Sequence, residues 1–165
     1  MTTLLLVRHG ETDWNAEGRL QGHTDRPLND HGRRQAKELA ARLAGERIDA
    51  IYASDLARAK ETAEIVGARL GLPVVVDPDL REKNWGSWEG LTGDERVSVD
   101  YVGETTEEHR ERMLRAVERI RERHPGQRIL VVTHGGSLRR IQAAVNGVAE
   151  PVIENCAVWS HTFGQ

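Results

Sequence analysis

The sequence has a single cysteine, Cys156, so no disulfide can form within the chain and nothing asks for an oxidising compartment. The expected role of Cys156 is a small buried apolar group near the last strand. Aromatic residues number only seven, four of them Trp, which leaves Leu, Val, Ile and Ala to build the core. No apolar run approaches the length that crosses a bilayer. Arg8 already belongs to the first motif, so no signal peptide is expected ahead of it. An excess of positive charge is missing too. A net charge of -3 and a pI near 6.2 argue against a broad footprint for nucleic acid or an anionic membrane surface, and any anion site must be local. A cytoplasmic protein is the default expectation. No repeat, low-complexity tract or linker divides the 165 residues, whose number suits one domain, 1–165.

What is present alternates between two periods. Thr3 to Val7 reads as a buried strand, and Asp30 to Ala44 carries Ala36, Leu39, Ala40, Leu43 and Ala44 at helical spacing before Gly45. Ile48 to Ala53 is the next strand, followed by a helix from about Leu56 to Leu70 and a strand at Val74 to Val76. Residues 77 to 104 read as irregular, rich in Gly and Asp. Thr105 and Glu108 have capping-box spacing and open a strongly charged helix that ends at His124-Pro125-Gly126. Its pairs Glu108/Arg112 and Glu111/Arg115 suit a solvated face. Ile129 to Val132 is a further strand, Leu138 to Val145 a further helix, and Cys156 to Trp159 the expected last strand. Such alternation predicts an α/β protein, a three-layer α/β/α sandwich around a mostly parallel sheet.

In parallel sheets ligands bind beyond the carboxyl ends of the strands, so those positions matter most. The first strand runs into Arg8-His9-Gly10-Glu11-Thr12, the second into Ser54-Asp55-Leu56-Ala57-Arg58, and the fourth into Thr133-His134-Gly135-Gly136. Two histidines and two arginines would meet at one sheet edge, beside helix N-termini that favour anions. A neutral imidazole can attack phosphorus and hold the group covalently, while guanidinium forks match phosphoryl oxygens. The leaving alkoxide then needs a proton from a carboxylic acid whose pKa is raised by its surroundings. Glu82, in Leu80-Arg81-Glu82, is the candidate.

The run Leu-Val-Arg-His-Gly-Glu-Thr at 6–12 resembles the signature of the phosphoglycerate mutase-like, or histidine phosphatase, superfamily. The resemblance extends in order over almost the whole chain. It takes in Asn15, Gln21-Gly22, Pro27-Leu28, Gly32 and Gln35-Ala36. It continues through Ser54-Asp55-Leu56-x-Arg58-Ala59 with Thr62-Ala63, and Leu80-Arg81-Glu82 followed by Gly86-x-Trp88-Glu89-Gly90, to Thr133-His134-Gly135-Gly136. It implies His9 as nucleophile, Arg8, Arg58 and His134 as the phosphate pocket, and Glu82 as general acid and then base. Asn15, Gln21, Gly22 and Gly135 fall where the family places phosphate and substrate contacts. The implied scheme needs no metal and no organic cofactor. The implied partner is a small phosphorylated metabolite, with no nucleic acid and no membrane. Oligomeric state is open, a homodimer included.

The chain also departs from the family pattern. Only 12 residues separate Gly90 from Gly103-Glu104-Thr105, where family members usually carry a longer helical insertion. A short lid and an open pocket are expected, which favours hydrolysis over a mutase reaction that must exclude water. A mutase, a phosphohistidine protein phosphatase and a non-catalytic phosphate-binding module are the rivals. Lys83, Asn84 and Trp85 follow Glu82 where a more acidic or apolar stretch is expected, and they either tune the acid or touch substrate. Trp85 and Trp88 suit lid or core packing as well as substrate stacking. His23, His31, His109, His124 and His161 show no metal-ligand spacing and are expected in loops or on the surface.

Overall fold

The apolar runs become the strands of one sheet in a computed structural model that describes residues 1–164. Chain order is β1 (Thr2–Arg8), α1 (Asp13–Glu17), α2 (Asp30–Leu43), β2 (Ala50–Ala53), α3 (Ala57–Leu70), β3 (Val74–Val76), α4 (Gly93–Arg96), α5 (Thr106–Arg123), β4 (Arg128–Thr133), α6 (Gly135–Asn146) and β5 (Val158–Phe163). The sheet order is β3-β2-β4-β1-β5, parallel except for β5, which runs antiparallel beside β1.

Alternation along β1 shows how the layers form, because successive strand side chains point to opposite faces. Leu4 and Leu6 join Met113, Ile120, Leu138 and Ile141 of α5 and α6 on one face. Leu5 and Val7 join Leu39, Leu43, Ala63 and Val66 of α2 and α3 on the other. Both faces of β1 and β4 are covered, which is why these strands read as continuous apolar runs. Helices on both faces of a mostly parallel sheet are the expected α/β architecture.

Four local expectations are corrected. The last strand begins at Val158, because Cys156 adopts a left-handed backbone (φ 61°) and its N–H donates to the Arg8 carbonyl. Cys156 therefore belongs to the turn that feeds β5. The short helix α1 was not expected; Thr12 caps it, and the capping-box partner is Asn15 rather than a Glu or Gln. α6 starts at Gly135, three residues before the expected Leu138 and directly behind His134. The stretch 77–104 is less irregular than expected, holding α4 and two 3-10 turns, Pro78–Leu80 and Gly86–Trp88. Among the described residues no helix is long and apolar enough to cross a membrane.

Candidate active site

Register brings the two histidines together. Arg8 pairs with Thr133 across β1 and β4, and the His9 N–H donates to the Thr133 carbonyl at 3.0 Å. The next residue on each strand is a histidine, and the His9 and His134 rings lie 5.1 Å apart, edge to face. Both are buried. His9 Nδ1 lies 2.6 Å from the Gly10 carbonyl, an acceptor only, so Nδ1 carries the proton and Nε2 keeps its lone pair. Burial, with Arg58 and Arg8 nearby, holds His9 well below the usual imidazole range, so the ring is neutral near pH 7. Burial, Arg58 and His9 do the same to His134.

His134 Nε2 sits 2.9 Å from Ser54 Oγ, which also accepts the Leu56 N–H. His134 Nδ1 is buried with no partner among the described residues, and it is a donor in the tautomer where Ser54 gives its proton to Nε2. Arg58 is 1% exposed and remains a cation although burial pushes its pKa down to about 10. Two of its nitrogens donate to the carbonyls of Gly22 (2.6 Å) and Thr24 (2.9 Å), and its buried Nε is unpartnered, like Nε of Arg8. Gly22 presents its carbonyl from a left-handed backbone (φ 56°), where a Cβ would collide with Glu89.

Arg8, His9, Gly22 and Arg58 line one cavity of about 340 Å³, together with Asn15, Gln21, Glu82 and Gly135, while His134 stands against the His9 ring behind that lining. Asn15 Oδ1 accepts the Thr12 N–H (3.0 Å) and Gln21 Oε1 accepts the Thr12 hydroxyl (2.7 Å), so the amide oxygens organise the loop. Their NH2 groups are what remains to face an anion.

Glu82 arrives from the opposite wall. Its carboxylate accepts the Lys83 N–H (2.8 Å) and the Gly136 N–H (2.9 Å). Glycine at 136 leaves room for this carboxylate: a Cβ there would stand 2.5 Å from Glu82 Oε1 and displace it. The segment around Glu82 is clamped by side chains from elsewhere. Arg112 donates to the carbonyls of Asp79, Arg81 and Glu82 and pairs with Glu104 at 2.7 Å. His23 Nε2 also reaches the Glu82 carbonyl, at 2.9 Å. Arg81 grips both oxygens of Asp55 at 2.7 Å each.

A family model for the histidine phosphatase superfamily, branch 1, matches residues 4–162. The chain belongs to this superfamily. It is 44% identical over 157 residues to phosphoglycerate mutase-like protein 4 of Arabidopsis thaliana, covering 84% of this chain and 68% of that one. It is 41% identical over 160 residues to a metal-independent phosphoserine phosphatase of the same plant, covering 86% and 67%. The solved structure of Bacillus stearothermophilus YhfR superimposes with a TM-score of 0.90 at 38% identity, covering 97% of this chain and 90% of that one. This histidine phosphatase is thus an enzyme of the phosphoric monoester hydrolase class, in a superfamily of phosphatases and mutases.

Several histidines and one arginine lie elsewhere than expected. His109 is buried rather than on the surface, His23 is partly buried, and His124 bonds the Tyr52 hydroxyl at 2.8 Å. Arg112 does not lie on a solvated face with Glu108, which instead closes the capping box on Thr105. Trp85 lines the cavity and stacks on Trp88 at 6.2 Å, with Tyr101 against both, so the short lid packs on itself. Arg19 and Arg96 also line the cavity, Arg96 from α4 in the lid. Neither was visible in the sequence, where no motif marks them. Cys156 is buried as expected, its thiol pushed up to about 12 by burial. Among the described residues no group of three His, Cys, Asp or Glu side chains could hold a metal ion.

Proposed function

We propose that this histidine phosphatase hydrolyses small phosphomonoesters by a two-step, metal-independent route through a phosphohistidine on His9. The observation that carries the reading is the neutral His9 ring with Nδ1 tied to Gly10 and Nε2 free, inside a cationic cavity. In the first step the Nε2 lone pair bonds to phosphorus, and the bond from phosphorus to the ester oxygen breaks. Arg8, Arg58 and His134 Nδ1–H hold the phosphoryl oxygens, with the NH2 groups of Asn15 and Gln21 and the Gly135 and Gly22 backbone shaping the pocket. Glu82 gives its proton to the departing alkoxide. In the second step Glu82 takes a proton from water as that water attacks phosphorus, and phosphate leaves with His9 neutral again.

A metabolite-sized ester fits a cavity of about 340 Å³. The short lid leaves water access for the second step, which supports hydrolysis over mutase chemistry. We take residues 1–165 as one working domain.

The test is phosphate release and isomer formation in EDTA from an ester panel that includes phosphoserine and 3-phosphoglycerate, with His9→Ala alongside. Release without isomerisation, lost by about 10⁴-fold or more in the mutant, is the expected result. A radiolabelled ester should leave acid-labile label on the wild-type protein and none on His9→Ala. Isomerisation with little release would make the enzyme a mutase.

A further inference from the structure

The buried face of α5 is apolar except at one position: His109 lies in a row with Met113, Ala116, Val117 and Ile120. A buried imidazole is costly unless its polar atoms are engaged, so its contacts carry information. Nε2 lies 2.8 Å from Ser137 Oγ and 3.7 Å from Glu82 Oε1. Ser137 has one proton, and it is donated to the Arg81 carbonyl at 2.9 Å. Its oxygen must therefore accept from His109, which places the imidazole proton on Nε2, facing Ser137 and Glu82 together.

Resting on the roles proposed above, we infer that His109 is a positioning residue for the acid, acting through Glu82 on departure of the leaving group. With the carboxyl protonated, Nε2–H is engaged by Ser137 and stands just beyond hydrogen-bond distance of Oε1. Once the proton moves to the alkoxide, Oε1 bears charge, and a closure of less than an ångström converts the 3.7 Å contact into a hydrogen bond. The contact thus strengthens as the transition state forms, which is the kind that accelerates a step. His109 keeps its own proton throughout.

Two further features fit this role. Burial, with Arg112 and Arg140 nearby, pushes the His109 pKa down to about 4, so at neutral pH the ring is a neutral donor and not a rival base for the acid's proton. Glu82 also borders a second cavity of about 100 Å³ lined by Lys83, Arg139 and Arg140, whose charges offer the carboxylate another place to settle. A donor on Oε1 that also lines that cavity opposes such a swing.

The experiment compares an alkyl phosphate with p-nitrophenyl phosphate, whose leaving group needs no proton, in His109→Leu, His109→Gln and Glu82→Ala. His109→Leu should lose about tenfold in kcat/KM, which reports the steps up to departure of the leaving group, on the alkyl ester and less than about twofold on the aryl ester. His109→Gln, which restores an N–H donor, should recover most of the loss. Turnover of the aryl ester also reports that the variant is folded around an intact phosphate pocket. Equal losses on both esters, no loss on either, or a Gln variant as slow as Leu would overturn the role of His109. Equal losses of kcat/KM in Glu82→Ala would remove the acid assignment itself, and His109 with it. A selective loss there with none in His109→Leu would sink only the present inference.

Discussion

His9 and Glu82 stand on the same cavity, but backbone carries the one and side chains carry the other. His9 extends β1 by one residue and bonds β4 through its own N–H, so the paired strands at the sheet centre fix its place. Glu82 follows β3, a three-residue edge strand whose valines are largely exposed, and is held because Arg112 and His23 bond carbonyls along its loop. A strand end in the sheet centre moves only if the sheet does. A clamped loop moves when one side chain is removed. The cleft therefore pairs a rigid side, proposed to hold phosphate, with the proposed acid, whose placement can be altered one residue at a time.

That contrast can be broken from either side. Short of removing His9 itself, the largest effect is expected on the rigid side: Arg58→Met should cut kcat/KM by about 10³-fold, alike for alkyl and aryl esters, because the phosphoryl group is common to both. Steady-state kinetics on the two esters checks this, and a loss confined to the alkyl ester would move Arg58 out of the phosphate pocket. Next, Arg112→Met should lower kcat/KM for the alkyl ester by about 30-fold and for the aryl ester far less, since it frees the loop carrying Glu82 without touching His9. An equal fall in both would mean that the loop and the phosphate pocket are one rigid unit.

The smallest effect is on stability, and it falls mainly on the rigid side. His9, His109 and His134 are buried with pKa values below the ordinary 6.5, so the unfolded chain binds more protons than the native one below that pH. Stability should therefore fall as pH drops from about 6.5, by up to about 1.4 kcal/mol per pH unit for each such histidine. Urea unfolding between pH 7 and 5 measures the slope, and His109→Leu should make it shallower. An unchanged slope would show that His109 binds a proton as easily folded as unfolded.

The acid's surroundings were the part least legible in advance. Arg112 was expected beside Glu108 because residues four apart on a helix are neighbours; it turns instead to Glu104 and three carbonyls of the 79–82 loop. His109 read as a surface histidine because α5 is charged almost throughout, and only the packing of that helix on α6 buries it. The first turn of α3 shows the same limit: Leu56 supplies no cap, and the Ala57 N–H is taken by Asp25 at 2.7 Å.

By itself the sequence determined the layers and which residues gather beyond the strand ends. Apolar runs and helical spacing are local, and a parallel sheet brings the residues after its strands to one edge, so His9, Arg58 and His134 could be placed together. Tertiary structure alone decided which other side chains reach the site. Arg19 and Arg96 meet at the cavity because the lid folds over the loop after α1, and His109 meets Glu82 because α5 lies against the turn that follows β3. Such contacts join segments far apart in the chain, and their geometry depends on how whole helices and loops pack, which no local pattern encodes.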